Sequence, residues 1–428
     1  MKPFPWLAAG VIAGSLAGGS VRAQPAAASQ ASQAALPSAA ETAAGTVGLR
    51  AALDAAWQRA VAARTSNGQR RLAEAERAAA RSFWAAPPSL ELSHRNDRLQ
   101  QNAGKRETEI GVAVPLWLPG QRAARSGTAA AAAAQALAAE QVARLHLAGE
   151  LRETAWQMAA LRAETDAADS QAQALKQLAD DVERRVRAGD LARADALAAQ
   201  AEQWAAAALQ SDARQRLQAA RARWTLLTGL AAAPDLTAAA ARDAAGASEP
   251  PAAGHPELQL AGLTAELARK RVDLMRHSRR DAPELSVGAR QDVGGRAESS
   301  QGSFVIGLRL PFGTDDRNRP LEAAALAELD VAETQELRLR ERLDSDIATA
   351  RDAQRAAAAQ LDAETARARL LRERAGLMNK SFRAGETPLP ELLRALAAAS
   401  QADSAVTRHT AALGLAHARL QQALGLLP

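Results

Sequence analysis

The side chains of this sequence that could ligate a metal ion are few and widely spaced. The chain of 428 residues contains no cysteine and six histidines. His409 and His417 are eight residues apart, about two turns of a helix, which is too far for both to bind one ion. Met275 and His277 are close in the chain, but on a helix they point to different faces. We therefore expect no metal site.

Motifs of the common enzyme classes are also missing from the sequence. It has no H-E-x-x-H motif, no Gly-rich phosphate loop and no G-x-S-x-G motif, which are the usual signatures of zinc, nucleotide and serine-nucleophile chemistry. The net charge is +5, with basic and acidic residues interspersed along the chain, so no nucleic-acid-binding patch is indicated. The sequence therefore predicts no enzyme, no catalytic residue, no cofactor and no nucleic-acid partner.

A helix-breaking turn occurs twice within Ala-rich helical sequence. It reads "RAGD" from Arg187 and "RAGE" from Arg383, 196 residues later. The segments "IGVAVPLW" from Ile110 and "IGLRLPFG" from Ile306 have the same offset, and so do "ARWTLLTGL" at 222–230 and "ARLQQALGL" at 418–426. Several segments at one spacing indicate a tandem duplication.

The parts outside the duplication are recognised by their composition. Residues 1–23 have a basic start, an apolar run and a small-residue exit, which is typical of a cleavable signal peptide. Residues 24–46 consist mostly of Ala, Ser and Gln and are predicted to form a flexible leader. Residues 231–256 are rich in Pro, Gly and Ala, which predicts a linker between the repeats.

Each repeat has the same order of helices and strands. The first repeat covers residues 47–230, with a β-hairpin at about 88–118 and a helix turn at about 187–191. The second covers residues 257–428, with a β-hairpin at about 283–312 and a helix turn at about 383–388. The helix before the first turn runs for some 64 residues from Ala123, about 96 Å at ~1.5 Å per residue. A coiled-coil rod would explain such helices, but it gives the hairpins no role.

The strands alternate between apolar and polar residues, so each hairpin has one apolar face. In a soluble sheet this face would cover a core, but an isolated hairpin is marginally stable in water. Hairpins that several subunits contribute to one membrane barrel would satisfy both the strand edges and the apolar face. Trp117 and Phe312, just past matching strands, would suit an aromatic girdle. The residues predicted to face lipid are Leu90, Leu92, Ile110, Val112, Val114, Leu116, Leu285, Val287, Phe304, Ile306, Leu308 and Leu310.

With both hairpins, both turns and both terminal "GL" endings placed, the chain resembles the TolC family of outer membrane efflux proteins. The segment "VPLWLPGQRAAR" at 114–125 and the compact C-terminus look most like the CzcC-type heavy-metal branch, whose members work with resistance-nodulation-division (RND) pumps. The resemblance implies a mainly α fold with a small membrane β-barrel portion, built from tandem long helical hairpins. It also implies a homotrimer with a twelve-stranded barrel in outer membrane lipid and helices extending into the periplasm.

The resemblance gives the two turns a role as periplasmic tips that contact a membrane fusion adaptor. The implied contact residues are Gly189, Asp190 and Leu191 in the first repeat and Gly385, Glu386 and Thr387 in the second. A plain helix end without a partner would also account for the glycines, because glycine readily adopts the backbone conformation that ends a helix.

The resemblance also places a pore constriction just after the second turn. Glu391 falls on the first acidic position of the family's narrow segment, Arg394 replaces the second acid, and Asp195 is the equivalent of Glu391 in the first repeat. Three copies of Glu391 near a trimer axis would form a carboxylate ring that favours cations. Arg394 could cancel that field, and an ordinary exposed charge is the alternative.

The function implied is an exit duct of a tripartite efflux system for heavy-metal cations, fed by an RND pump through the adaptor. A TolC-like duct for drugs or for type I secretion would have the same fold. A periplasmic adaptor also has a long helical hairpin, but only one, flanked by other domains. A structural coiled coil of the envelope would not need the amphipathic hairpins.

Overall fold

The computed structural model describes residues 45–99, 101–236, 254–312 and 315–428. The predicted signal peptide, and most of the predicted leader and linker, lie outside these residues. The helices are α1 (Leu49–Arg59), α2 (Val61–Ala80), α3 (Gln121–Ala188), α4 (Arg193–Thr228), α5 (Pro256–His277), α6 (Asp315–Arg383) and α7 (Leu389–Ala423). The strands are β1 (Val47–Gly48), β2 (Ser89–Asn96), β3 (Arg106–Pro115), β4 (Pro234–Asp235), β5 (Glu284–Val293) and β6 (Gln301–Arg309). The mainly helical fold with two β-hairpins is confirmed.

Two very long helices, α3 with 68 residues and α6 with 69, dominate the chain. At ~1.5 Å per residue each is about 100 Å long. Their Ala-rich faces let neighbouring helices approach closely, and α3 packs against α4 and α5 while α6 packs against α5 and α7. The hydroxyl of Thr165 in α3 donates to the carbonyl of Ala213 in α4 at 3.3 Å. No helix in the described ranges is both long and apolar enough to cross a bilayer.

The two hairpins form one four-stranded antiparallel sheet in the order β2-β3-β5-β6. The prediction that each hairpin has no other strand to pair with is wrong, because β3 of the first repeat pairs with β5 of the second. Directly opposite residues share a face of a sheet. The register places Ile110 opposite Leu92 and Ala289, and Val287 opposite Val112 and Ile306. The apolar residues of all four strands therefore lie on one face.

A compact core joins the ends of the first repeat. The indole of Trp224 is 1% exposed and donates to the carbonyl of Ala232 at 2.9 Å. It packs with Leu49 and Leu53 of α1 and Leu151 of α3. Beside this core β1 pairs in parallel with β4. This packing ties the segment after α4 to the first described strand.

The end of the second repeat is held by a buried arginine and a buried histidine. Arg152 is 2% exposed and donates to the side chain of Gln422 at 2.8 Å and to the carbonyl of Leu426 at 2.9 Å. The ring of His255, which caps α5, accepts from the backbone N–H of Glu257 at 3.2 Å. Burial lowers the pKa of His255, and the carboxylate of Glu257 and the backbone of Ala423 offset this only in part.

Candidate functional site

The two repeated turns have the same backbone geometry. Gly189 and Gly385 have φ values of 87° and 80°, in the left-handed region that side chains other than glycine disfavour. The N–H of Gly189 donates to the carbonyl of Val186 at 3.1 Å, and the N–H of Asp190 donates to that of Arg185 at 2.9 Å. Gly385 and Glu386 repeat this pattern with Phe382 and Ser381, at 3.1 and 3.0 Å. Each long helix therefore ends in a Schellman motif.

The two turns lie side by side because their helices share a small apolar core. Val182 of α3 packs with Phe382 of α6 and with Leu389 and Leu392 of α7. The guanidinium of Arg185 lies 5.2 Å from the ring centroid of Phe382, a cation–π contact between the repeats. The core brings the two turns, one between α3 and α4 and the other between α6 and α7, into one surface.

The predicted adaptor-contact residues form the outer part of this surface. Gly189, Asp190, Gly385 and Glu386 are exposed, and Leu191 and Thr387 are half-buried. Leu191 packs on the core below, while the hydroxyl of Thr387 donates to that of Ser381 at 2.6 Å. A Cβ added to either glycine would meet nothing within 4 Å, so the surface beside both turns is open. Contact with an adaptor stays a prediction.

The two predicted constriction acids, Asp195 and Glu391, are used differently. The carboxylate of Asp195 accepts from the backbone N–H of Ala192, the residue that caps α4, at 3.3 Å. Glu391 occupies the same position after the second turn, but the capping residue of α7 is Pro388, which has no N–H. Glu391 is exposed and its carboxylate has no such role. The family resemblance implied that both acids lie at the constriction, which stays a prediction, and Asp195 has a local structural contact in addition.

Arg394 lies one turn after Glu391 on α7 and is also exposed. Within the part of the chain that the structure describes, Arg394 and Glu391 form no ion pair with each other or with any other residue. The two charges are therefore both available to whatever faces this end of α7.

The predicted lipid-facing residues form a continuous exposed apolar surface, which we call the apolar sheet face. Exposure ranges from 44% at Val112 to 89% at Phe304 among its exposed members, and Val114, Leu116 and Leu285 are half-buried. Leu116 and Leu310 lie just beyond β3 and β6 rather than within them. The N–H of Leu116 donates to the carbonyl of Pro283 at 2.7 Å, which extends the pairing past the end of β3.

The opposite face of the sheet is polar and has a row of glycines. Arg290 pairs with Glu107 at 2.9 Å and Arg309 with Glu284 at 3.4 Å. Gly111 of β3 lies directly opposite Gly288 of β5. A Cβ on Gly288 would lie 2.8 Å from the carbonyl oxygen of Ile110, so the strands are too close for a side chain here.

The histidines do not assemble into a metal site. His277 and His417 donate to backbone carbonyls one turn earlier, of Asp273 at 2.8 Å and of Leu413 at 2.9 Å. His146 contacts the carboxylate of Glu257 at 2.8 Å. Among the described residues no group of three His, Asp or Glu side chains could hold a metal ion.

Comparisons with known proteins give matches by structure alone. No protein-family model and no curated protein matches the sequence. The structure is similar to the outer membrane protein VceC from Vibrio cholerae, with 16% identity, a TM-score of 0.69, and 88% of this chain and 96% of that chain covered. It is similar to CusC, a protein that forms a transmembrane channel, with 14% identity, a TM-score of 0.74, and 90% and 96% covered.

A third similar structure is the open state of the MtrE outer membrane channel of Neisseria gonorrhoeae, with 17% identity, a TM-score of 0.66, and 88% and 89% covered. These neighbours are channel proteins rather than enzymes. Each of these matches covers at least 88% of this chain. The chain therefore has the TolC-like fold of helical-hairpin channels.

Proposed function

We propose that this protein is the outer membrane channel of a tripartite efflux system, acting as a homotrimer with a periplasmic adaptor and an inner-membrane RND pump. The observation that carries the proposal is the apolar sheet face, within a fold that matches outer membrane channels over about 90% of the chain. Its side chains are 70% exposed or more at Leu90, Leu92, Phe304 and Ile306. Monomeric soluble proteins rarely expose so large a contiguous apolar surface.

The sheet also has to be closed. β2 and β6 are its edge strands, and unpaired backbone groups are costly in lipid. Copies of the same sheet from two further subunits would pair these edges and give a twelve-stranded barrel, with the apolar sheet face toward lipid and the Glu107, Arg290 and glycine side toward the lumen. The barrel lies in the outer membrane, and α3, α4, α6 and α7 extend from it into the periplasm.

The helix tips are the adaptor-binding end of the channel. Both turns present exposed backbone and an acid, Asp190 or Glu386, on one surface, and the shared core of Val182, Phe382 and Leu392 keeps them together. An adaptor that binds both tips would engage the two repeats at once. Movement of one hairpin relative to the other would have to break the contact between Arg185 and Phe382.

The cargo that we propose is a heavy-metal cation, and Glu391 is the residue that favours it. Its carboxylate is free because Pro388 has no N–H for it to cap. Three such carboxylates around a narrow axis would attract cations, whereas Arg394 would oppose them. A passive duct needs no tight metal site, because tight binding would slow release.

The test of this function is the growth of a strain that lacks the gene, with and without the gene restored. The panel contains zinc, cobalt, cadmium, nickel, copper and silver salts together with unrelated antibiotics. Sensitivity to a few metals, rescued by the gene, is the expected result. Sensitivity to drugs alone would contradict the metal cargo and leave the channel in place. A purified protein that gives no conductance in planar bilayers would contradict the channel itself.

A further inference from the structure

The four connections between the helices and the sheet lie at the same end of the strands. β2 and β5 begin at this end, and β3 and β6 finish there, because the register pairs Ser89 with Ala113, Pro115 with Glu284, and Glu284 with Arg309. The indole of Trp117 donates to the carbonyl of Ser82 at 3.2 Å. These contacts fix the connecting segments of both repeats beside one another.

Exposed arginines are concentrated in these connections, and we call them the arginine collar. The members are Arg81, Arg122, Arg125, Arg276, Arg279, Arg280 and Arg319. Arg276 has only a long contact of 4.0 Å with Asp273, and Arg319 pairs with Asp316 at 3.4 Å. Within the described ranges Arg279 and Arg280 have no ion-pair partner. Among the side chains that the structure describes, the acids nearby are Asp273, Asp281, Glu284, Asp316 and Glu322, fewer than the seven arginines of the collar.

The collar is hollowed rather than flat. Arg276, Arg279 and Asn318 line two adjoining hollows of about 470 and 280 Å³. Arg280 and Phe312 border the larger hollow, and Arg319 borders the smaller. The amide of Asn318 donates to the backbone carbonyl of Arg279, which holds the segment after α5 against the start of α6. Three arginines thus line each hollow, and the acid Glu322 borders only the smaller one. The larger hollow is therefore the better fit for a small anionic group.

The collar directly follows the apolar sheet face. Phe83 and Phe312 are 74% and 88% exposed and lie between that face and the arginines. The guanidinium of Arg125 lies 5.7 Å from the ring centroid of Trp117. Along the strand direction the order is therefore aliphatic, then aromatic, then cationic. This is the order of the acyl, interfacial and headgroup layers of a lipid leaflet.

We propose that the arginine collar binds the phosphate headgroups of anionic phospholipids in the leaflet that borders the helices. The inference rests on the proposed membrane placement of the sheet and adds a lipid class to it. A guanidinium presents two parallel N–H donors that match a phosphate. Arg279 and Arg280 carry most of the effect because neither has an ion-pair partner among the residues that the structure describes. Lipid with a net negative headgroup is therefore preferred over a zwitterionic lipid with the same chains.

Tryptophan quenching by brominated lipid tests the proposal on the full chain in vesicles. The vesicles are phosphatidylcholine with an equal mole fraction of either brominated phosphatidylglycerol or brominated phosphatidylcholine. Trp84 and Trp117 lie beside the collar and report the lipid bound there. A basic residue near an anionic surface contributes about 1 kcal/mol, or about fivefold in affinity. The wild type should therefore prefer phosphatidylglycerol by about fivefold or more.

Three variants separate the collar from general charge effects. R279Q/R280Q should lose most of the preference, and R279K/R280K should keep only part of it, because the charge remains but the paired donors of the guanidinium are lost. The matched control R369Q/R374Q removes two exposed arginines of α6 that have no ion-pair partner among the described residues. Arg369 is about 80 Å along α6 from the collar at ~1.5 Å per residue, so this control should behave as the wild type. Circular dichroism checks that all variants are folded.

Four results would overturn the inference without contradicting the membrane placement. The first is equal quenching by both lipids in the wild type, and the second is a preference that survives in R279Q/R280Q. The third is loss of the preference in R369Q/R374Q. The fourth is loss of the wild-type preference when inorganic phosphate is added, but not when chloride is added at equal ionic strength. The last would identify a free anion as the ligand. Absence of quenching by either brominated lipid would contradict the membrane placement itself, and the inference with it. Quenching by both without preference contradicts the collar alone.

Discussion

The pairing of β3 with β5 joins the two repeats, and a single methyl group at this joint tests it. Gly288 of β5 faces Gly111 of β3 across the ladder. A Cβ on Gly288 would lie 2.8 Å from the carbonyl oxygen of Ile110 and 3.1 Å from the Cα of Gly111. Both atoms belong to the backbone, so neither can swing aside as a side chain would. Gly288→Ala must therefore push the strands apart, at a cost of about 1–3 kcal/mol.

The matched control is Gly302→Ala in the neighbouring strand β6. Nothing lies within 4 Å of a Cβ at Gly302, and its φ is outside the left-handed region. Alanine restricts the unfolded chain more than glycine does, so Gly302→Ala should be neutral or stabilise by up to about 1 kcal/mol. The two substitutions add the same atoms to the same sheet, but only the Cβ at position 288 meets the backbone of β3.

Thermal unfolding of both variants in one detergent, followed by circular dichroism, measures the effect. Gly288→Ala should unfold at a lower temperature than the wild type, and Gly302→Ala at the same or a higher temperature. Equal unfolding temperatures for the two variants would refute the close approach of β3 to β5. A lower unfolding temperature for Gly302→Ala alone would show that the close contact lies at β6 rather than between β3 and β5.

Three further predictions concern the turns, the constriction and the buried histidine. Gly189→Ala should lower the free energy of unfolding by about 1–2 kcal/mol, because alanine disfavours the positive φ at this position. Gly376→Ala within α6, where a Cβ also meets open space, should raise it by about 1 kcal/mol. Thermal unfolding of both variants measures the difference. Glu391→Ala should lower the cation preference in planar bilayers and Arg394→Ala should raise it, and an unchanged reversal potential under a salt gradient would remove that residue from the filter. Burial holds the pKa of His255 below its ordinary value of 6.5. As the pH falls, the unfolded chain therefore takes up a proton at His255 before the folded chain does. The contribution of His255 to the unfolding free energy is present above pH 6.5 and is lost as the pH falls below it. His255→Asn, which keeps a capping side chain, should reduce this dependence in denaturant titrations on the two sides of that pH, and an undiminished dependence would assign it to other groups.

Most of the fold could be predicted because its signals are local and occur twice. The Arg-Ala-Gly turns require a residue in the left-handed conformation between two helices, and Gly189 and Gly385 both adopt it. Alternation along the strands placed the apolar residues on one face, and the register puts Val112, Val287 and Ile306 in one row. Both patterns are set by a residue and its near neighbours, so a sequence carries them directly.

The remaining features depend on which segments meet in three dimensions. The pairing of β3 with β5 could not be predicted, because the sequence of each hairpin does not specify which other strand its outer strand pairs with. The cap formed by Asp195 was missed because Ala192 is the capping residue, whereas the usual signal is Ser or Thr three residues before an acid. Nothing in the sequence singled out Arg279 and Arg280, which the fold brings to the same end of the strands as Phe312 and Arg125.

The two acids Asp195 and Glu391 follow equivalent turns but differ in their local contacts. Both acids occupy the third position of the helix that follows a turn, where a carboxylate can accept from the N–H of the capping residue. Ala192 supplies that N–H, so Asp195 is held at 3.3 Å and contributes to the helix. Pro388 removes it, and its fixed φ still starts α7 without the side-chain cap. The second helix therefore begins without using its acid, which leaves the carboxylate of Glu391 available to the axis of the proposed channel.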